Sequence, residues 1–193
     1  MPDAPVNVRL VPGWYGKIPS LGDFASRRLP ETFVQRWDAW LQEGLAVART
    51  ELGAGWLDVY LVAPVRRFWL APGLLGASAW SGVMMSSVDR VGRYFPLTIA
   101  QPAGTLADAF AAAAWHAELE GVARQVLDVS FTVDDLEEAL AAVTPVDGVE
   151  LHGNGVDADG GGSVWWCADP PQLQRHDAMP SAAAFVSLLG CSP

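Results

Sequence analysis

Behind Pro30, residues Phe33, Trp37, Trp40, Leu41, Leu45 and Ala48 recur at steps of three and four. That spacing aligns them on one face of an amphipathic helix reaching about Leu52. Pro30 suits the first turn, where its missing N–H costs nothing, and Gly53 and Gly55 end the run. A dense block of apolar segments follows. Arg67–Leu70, Ala79–Ser87 and Tyr94–Gln101 are rich in aromatic and β-branched residues and read as three strands. Their short connections make them antiparallel neighbours. Residues 58–63 (DVYLVA) fit either a strand or a helical turn, and periodicity does not choose between them.

An earlier strand is expected around Trp14–Ile18, closed by the turn residues Pro19, Ser20 and Gly22. Beyond the strand block the period changes to that of helices. Thr105 with Asp108 forms a capping-box-like start for an alanine-rich helix, whose apolar stripe runs through Leu106, Phe110, Ala113, Ala117, Val122 and Val126. Thr132 with Asp135 repeats the device for a shorter helix stopped at Pro145. Residues 152–162 (HGNGVDADGGG) have turn composition and read as a mobile surface loop. Ser163–Cys167 then reads as a strand and Ser181–Leu189 as a closing helix. This order does not alternate as βαβ units do. The expected fold is α+β, an antiparallel β-sheet packed with α-helices in one domain over residues 1–193.

Composition sets further limits. The 193 residues suit a single core, and 51% hydrophobic content with nine tryptophans excludes wholesale disorder. Cys167 and Cys191 are too few for a disulfide scaffold or a four-thiolate zinc site. No apolar run is long enough to span a bilayer and the first residues form no apolar signal segment, so the expectation is a cytoplasmic protein without membrane insertion. The net charge of −10 is uneven. Residues 1–100 carry ten basic against eight acidic side chains, while residues 101–193 carry two basic against fourteen acidic. An acidic half repels phosphate backbones, which argues against nucleic acid. It suits either a basic protein partner or a solubilising face.

No catalytic constellation is visible. The histidines His116, His152 and His176 stand in no nucleophile–base pattern, and no nucleophile elbow is present. Cys167 follows two tryptophans and reads as a packed core thiol. Asp157 and Asp159 lack the further ligands of a calcium loop, and the glycines near 153–162 do not form a phosphate cradle. No enzyme activity, cofactor or metal is expected. The segment that stands out is Gly82–Leu97 (GVMMSSVDRVGRYFPL), which sets Asp89, Arg90 and Arg93 in a turn between two strands. A guanidinium fork there suits a carboxylate or phosphate, and Asp89 is placed to hold an arginine in position. Gly92 suits a positive φ. Stapling the turn and presenting a recognition face are compatible roles. A second polar group, Lys17, Ser20 and Asp23 with Gly22 and Phe24, lies at the N-terminal turn, where capping alone also accounts for Ser20 and Asp23.

These segments resemble a known family. Residues 13–24 (GWYGKIPSLGDF) look like the opening signature of TagF, a type VI secretion-associated family, and 27–41 (RRLPETFVQRWDAWL), 64–70 (PVRRFWL) and 82–97 continue the match in order. Residues 163–166 (SVWW) and 179–185 (MPSAAAF) look like its C-terminal elements. Two positions depart from the pattern: Ser86 stands where the family usually has proline, and Arg66 where it commonly has tryptophan. The resemblance implies a non-enzymatic, post-translational repressor of type VI secretion assembly or firing in Gram-negative bacteria. The implied partners are proteins of that machine, such as its forkhead-associated scaffold or the PP2C-type phosphatase pathway. The partner surface would include Asp89, Arg90, Arg93, Lys17, Ser20 and Asp23. A reading from another class is a sensor of a phosphate-bearing metabolite, or a cryptic enzyme, using a cleft near Lys17, Asp89 and Arg93. A structural subunit of the machine is a third.

Overall fold

The computed structural model describes residues 10–146, 161–169 and 171–190. Seven strands, β1 (Gly13–Gly16), β2 (Ala25–Arg27), β3 (Arg66–Leu70), β4 (Ala79–Met85), β5 (Leu97–Ala103), β6 (Ser163–Cys167) and β7 (Gln172–His176), form one sheet. Their order is β2-β1-β5-β4-β3-β6-β7 and every pairing is antiparallel. The described helices are α1 (Glu31–Leu52), α2 (Trp56–Leu61), α3 (Leu106–Ala111), α4 (Ala113–Gln125), α5 (Val133–Ala142) and α6 (Ala182–Leu189). The α+β expectation holds, and the helices cover both faces of the sheet.

Alternation along each strand divides the core in two. Phe68, Leu70, Trp80, Met84 and Trp165 pack with the α1 residues Phe33, Trp37, Trp40, Leu41 and Leu45 and with Phe185 and Leu188 of α6. Their neighbours Val83, Met85, Leu97 and Ile99 pack with Trp115, Leu119 and Val122 of α4 and with Leu136 and Leu140 of α5. A sheet covered on both sides has no wet face, so its central strands read as continuous apolar runs. The aromatic stripe of α1 therefore meets strand aromatics directly: the Trp37 ring lies 5.0 Å from Phe68 and 5.9 Å from Trp165. Its indole N–H still finds an acceptor, donating to Thr98 Oγ1 at 2.8 Å. Helix α6 crosses α1 at Gly44, where an added Cβ would come within 2.4 Å of the Phe185 ring. Only glycine allows that approach.

Both capping boxes form. Thr105 and Thr132 accept from the amides of Asp108 and Asp135, whose carboxylates accept in return from the threonine amides. The structure settles one open reading and revises others. Residues 58–63 are largely helical, belonging to α2, because Tyr60 turns inward to exchange hydrogen bonds with Ser87. The helix expected from Thr105 through Val126 is two helices that break at Ala112. Strand β5 begins at Leu97 instead of Tyr94, since Tyr94 bridges to Val88 within the preceding loop. Strands β2 and β7 add one edge each. Residues 147–160, which hold most of the glycine-rich segment, lie outside the described residues, as does Cys191.

Candidate functional site

The β4–β5 connection closes on Asp89. Burial pushes this carboxyl's pKa up, but four donors outweigh that and hold it well below the usual carboxylate range. The amides of Val91 and Arg93 donate to Oδ1 at 3.0 and 2.9 Å. Lys17 Nζ and Arg93 Nε donate to Oδ2 at 2.9 and 2.6 Å. Asp89 is only 3% exposed, so this is an internal anchor. Gly92 takes φ 84°, the left-handed backbone that lets its amide donate back to Asp89 O at 3.0 Å.

The loop is clasped from outside as well. Arg90 N donates to Leu21 O at 2.8 Å and Arg93 Nη2 to Gly22 O. Ser87 Oγ donates to Lys17 O at 2.7 Å. The N-terminal turn and the β4–β5 loop thus form one rigid unit, with Lys17 bonding across 72 residues of sequence. Its ammonium also lies 4.6 Å from the Phe24 ring centre. Phe24 in turn packs edge-on against Phe95 at 4.7 Å.

Beside this unit opens a cleft of about 430 Å³ between the loop and α1, lined by Lys17, Gln42, Leu45, Arg49, Gly92, Arg93, Tyr94 and Phe95. Its floor is the buried pair Leu45 and Phe95. Its rim carries Arg49, whose guanidinium stacks on Trp56 at 4.6 Å. Nearby, the Tyr15 hydroxyl donates to Asp38 Oδ1 and Gln42 Nε2 to Asp38 Oδ2. Burial, then the hydrogen bond and charge of Asp38, push the Tyr15 pKa up, so the phenol stays a donor.

Of the sequence-selected residues, Lys17, Asp89 and Arg93 meet. Arg90 lies at the exposed end of the same loop beside Val91, which is 66% exposed. Ser20 and Asp23 do not join them. The Ser20 hydroxyl is buried with no hydrogen-bond partner among the described residues, and Asp23 accepts the Phe24 amide at 2.8 Å as a turn residue does. Sequence reasoning missed Gln42, Arg49 and Tyr94. Gln42 and Arg49 stand two helical turns apart on the polar side of α1, a signal hidden by the aromatic stripe opposite. Among the described residues there is no group of three or more His, Cys, Asp or Glu placed to hold a metal ion. No helix among them is long and apolar enough to cross a membrane.

This architecture, a seven-stranded antiparallel sheet between helical layers, is that of an α+β protein, and a solved structure shares the fold. The crystal structure of PA0076 from Pseudomonas aeruginosa PAO1 is similar, with 36% identity and a TM-score of 0.81 over 94% of this chain and 95% of that one. The TagF N-terminal domain, type VI secretion system-associated, matches residues 13–143, more than half of the sequence. The chain belongs to that TagF family. No functionally curated protein matches it.

Proposed function

We propose that the chain is a non-catalytic, cytoplasmic repressor that acts after translation, binding a component of the type VI secretion machine and withholding it from assembly. The forkhead-associated scaffold is the first partner to test. The observation that carries this reading is the Asp89 clasp. It fixes a loop whose outer residues Arg90, Val91, Gly92 and Arg93 are all exposed. A preformed loop loses little conformational entropy on docking, and arginine is among the side chains that most often carry interface energy. Occlusion by such a binder scales with its concentration over Kd.

Lys17 and Asp89 support the loop from inside, and Arg90, Val91 and Arg93 make the contacts. The test is calorimetric titration of the purified protein against the scaffold, and separately against the PP2C-type phosphatase. Val91→Glu serves as the surface variant, because its side chain takes part in no internal bond. Micromolar or tighter binding to the scaffold, weakened in Val91→Glu with the melting temperature unchanged, is expected. Absence of heat with wild type would discard this partner. Binding equal in wild type and variant would move the interface elsewhere, to the acidic α4–α5 side first.

A further inference from the structure

The cleft beside the loop carries a cationic surplus in a chain of net charge −10. Lys17, Arg49 and Arg93 line it, and Asp89 and Asp38 are the carboxylates bound to its lining groups. Asp89 is engaged at Oδ1 by the loop amides and at Oδ2 by Lys17 and Arg93, and Asp38 is engaged by Tyr15 and Gln42. Arg49 has no carboxylate partner among the described residues, and its guanidinium lies over the Trp56 ring. Arg93 uses Nε and Nη2 internally, which leaves Nη1 without a bond among the described residues. Tyr94 also lines the cleft, its ring edge-on to Trp56 and Tyr60. Two guanidinium edges with donors to spare thus line the cleft over an apolar floor, with Lys17 beside them bound to Asp89.

We propose that this cleft is an oxyanion pocket that receives a carboxylate or phosphate side chain of the partner protein, with Arg49 and Arg93 as the two clamps. The proposal rests on the reading of the chain as a partner-binding repressor and names the chemistry that the partner must present. Guanidinium forks suit both planar carboxylate and tetrahedral phosphate oxygens. Lys17 sets the field from below while staying bound to Asp89, and Phe95 with Leu45 accommodates the methylene stem of the incoming residue. The remaining −12 of the second half repels anions elsewhere, which concentrates oxyanion binding at this one end.

The test titrates the ¹⁵N-labelled protein with inorganic phosphate, with blocked phosphoserine and with blocked glutamate, and uses chloride at equal ionic strength as the reference. Amide shifts confined to residues 42–49 and 92–95, about tenfold weaker in Arg49→Glu, are expected for the charge-assisted contact that substitution removes. The ligand giving the tighter saturation identifies the source as phosphate or carboxylate. Shifts matched by chloride, or unaltered in Arg49→Glu, overturn the pocket. The same variant is titrated against the scaffold. If wild type binds the small oxyanions but no scaffold, the pocket stands and the partner reading falls. If the scaffold binds wild type and Arg49→Glu equally, the partner reading stands and the pocket falls.

Discussion

Two polar clusters in this protein solve the same problem for opposite ends. One is sealed under α4. Arg67 is 8% exposed and donates Nε to Glu120 Oε1 at 2.6 Å, while Arg124 reaches Glu120 Oε2 from outside at 3.3 Å. Beside them, His116 is fully buried, with Nε2 3.0 Å from Ser81 Oγ and Nδ1 3.0 Å from Ala112 O. The other cluster is the Asp89 clasp at the cleft. Both contain a carboxylate between two cations. In the first, the group is spent on joining α4 to the sheet. In the second, the carboxylate holds the loop backbone with one oxygen and Lys17 and Arg93 with the other, and Arg93 Nη1 is left over among the described residues. The difference between scaffold and site lies in the cleft that opens beside the clasp, not in the residue types.

The neighbouring Arg66 belongs with the first kind. It points to the opposite face from Arg67 and donates to Leu188 O at 2.7 Å and Gly190 O at 2.9 Å, capping the last carbonyls of α6. A cation is favourable at that helix end.

The comparison can be broken most strongly at the sealed cluster. Glu120→Ala leaves the Arg67 charge buried without its partner and should cost about 3–5 kcal/mol, read from denaturant unfolding. Acid should act next. Burial, the main cause, with the Arg67 charge adding, lowers the His116 pKa from 6.5 to about 4, outweighing the bond to Ala112 O. A depressed histidine contributes stability above pH 6.5 that is lost as pH falls from 6.5 towards 4, up to about 3 kcal/mol. His116→Asn should remove that part of the pH dependence, measured as the difference between the two unfolding curves.

Asp89→Asn should lower the melting temperature less than Glu120→Ala. Its main effect should be faster amide exchange at residues 87–95, since Lys17 and Arg93 lose their counter-charge. Because the Asp89 pKa is depressed, its contribution is fully present above the ordinary carboxylate range and is lost progressively as pH falls through and below it. On acidification the α4 cluster therefore loosens before the clasp, and exchange measured at pH 5 against pH 7 should show protection lost around His116 first. Unequal loss in the reverse order would contradict the assignment. The smallest effect on stability belongs to Arg49→Glu, within about 0.5 kcal/mol for an exposed helix position. The same change should weaken oxyanion binding about tenfold.

Much of the frame was legible from residue order. The α1 stripe, the capping threonines and the three central strands follow from periodicity and local hydrogen bonding, which are properties of a few neighbouring residues. Strand β7 (QLQRH) was not legible, because it is a polar edge defined by its pairing with β6 and by Gln174 contacting Ser187 of α6. The break at Ala112 escaped for a similar reason, as an alanine run carries no stop signal. At the site, turn composition pointed to Asp89, Arg90 and Arg93. Arg49 joins from the polar side of a long helix, and only the fold brings it to the loop.

The central claim is that the partner docks on the clasped loop and its cleft. Hydrogen–deuterium exchange of the protein alone and bound to the forkhead-associated scaffold tests it most directly. The account predicts new protection at residues 42–49 and 89–95, with α4 and α5 unchanged. Protection confined to α4 and α5, with the loop exchanging as it does in the free protein, would contradict it.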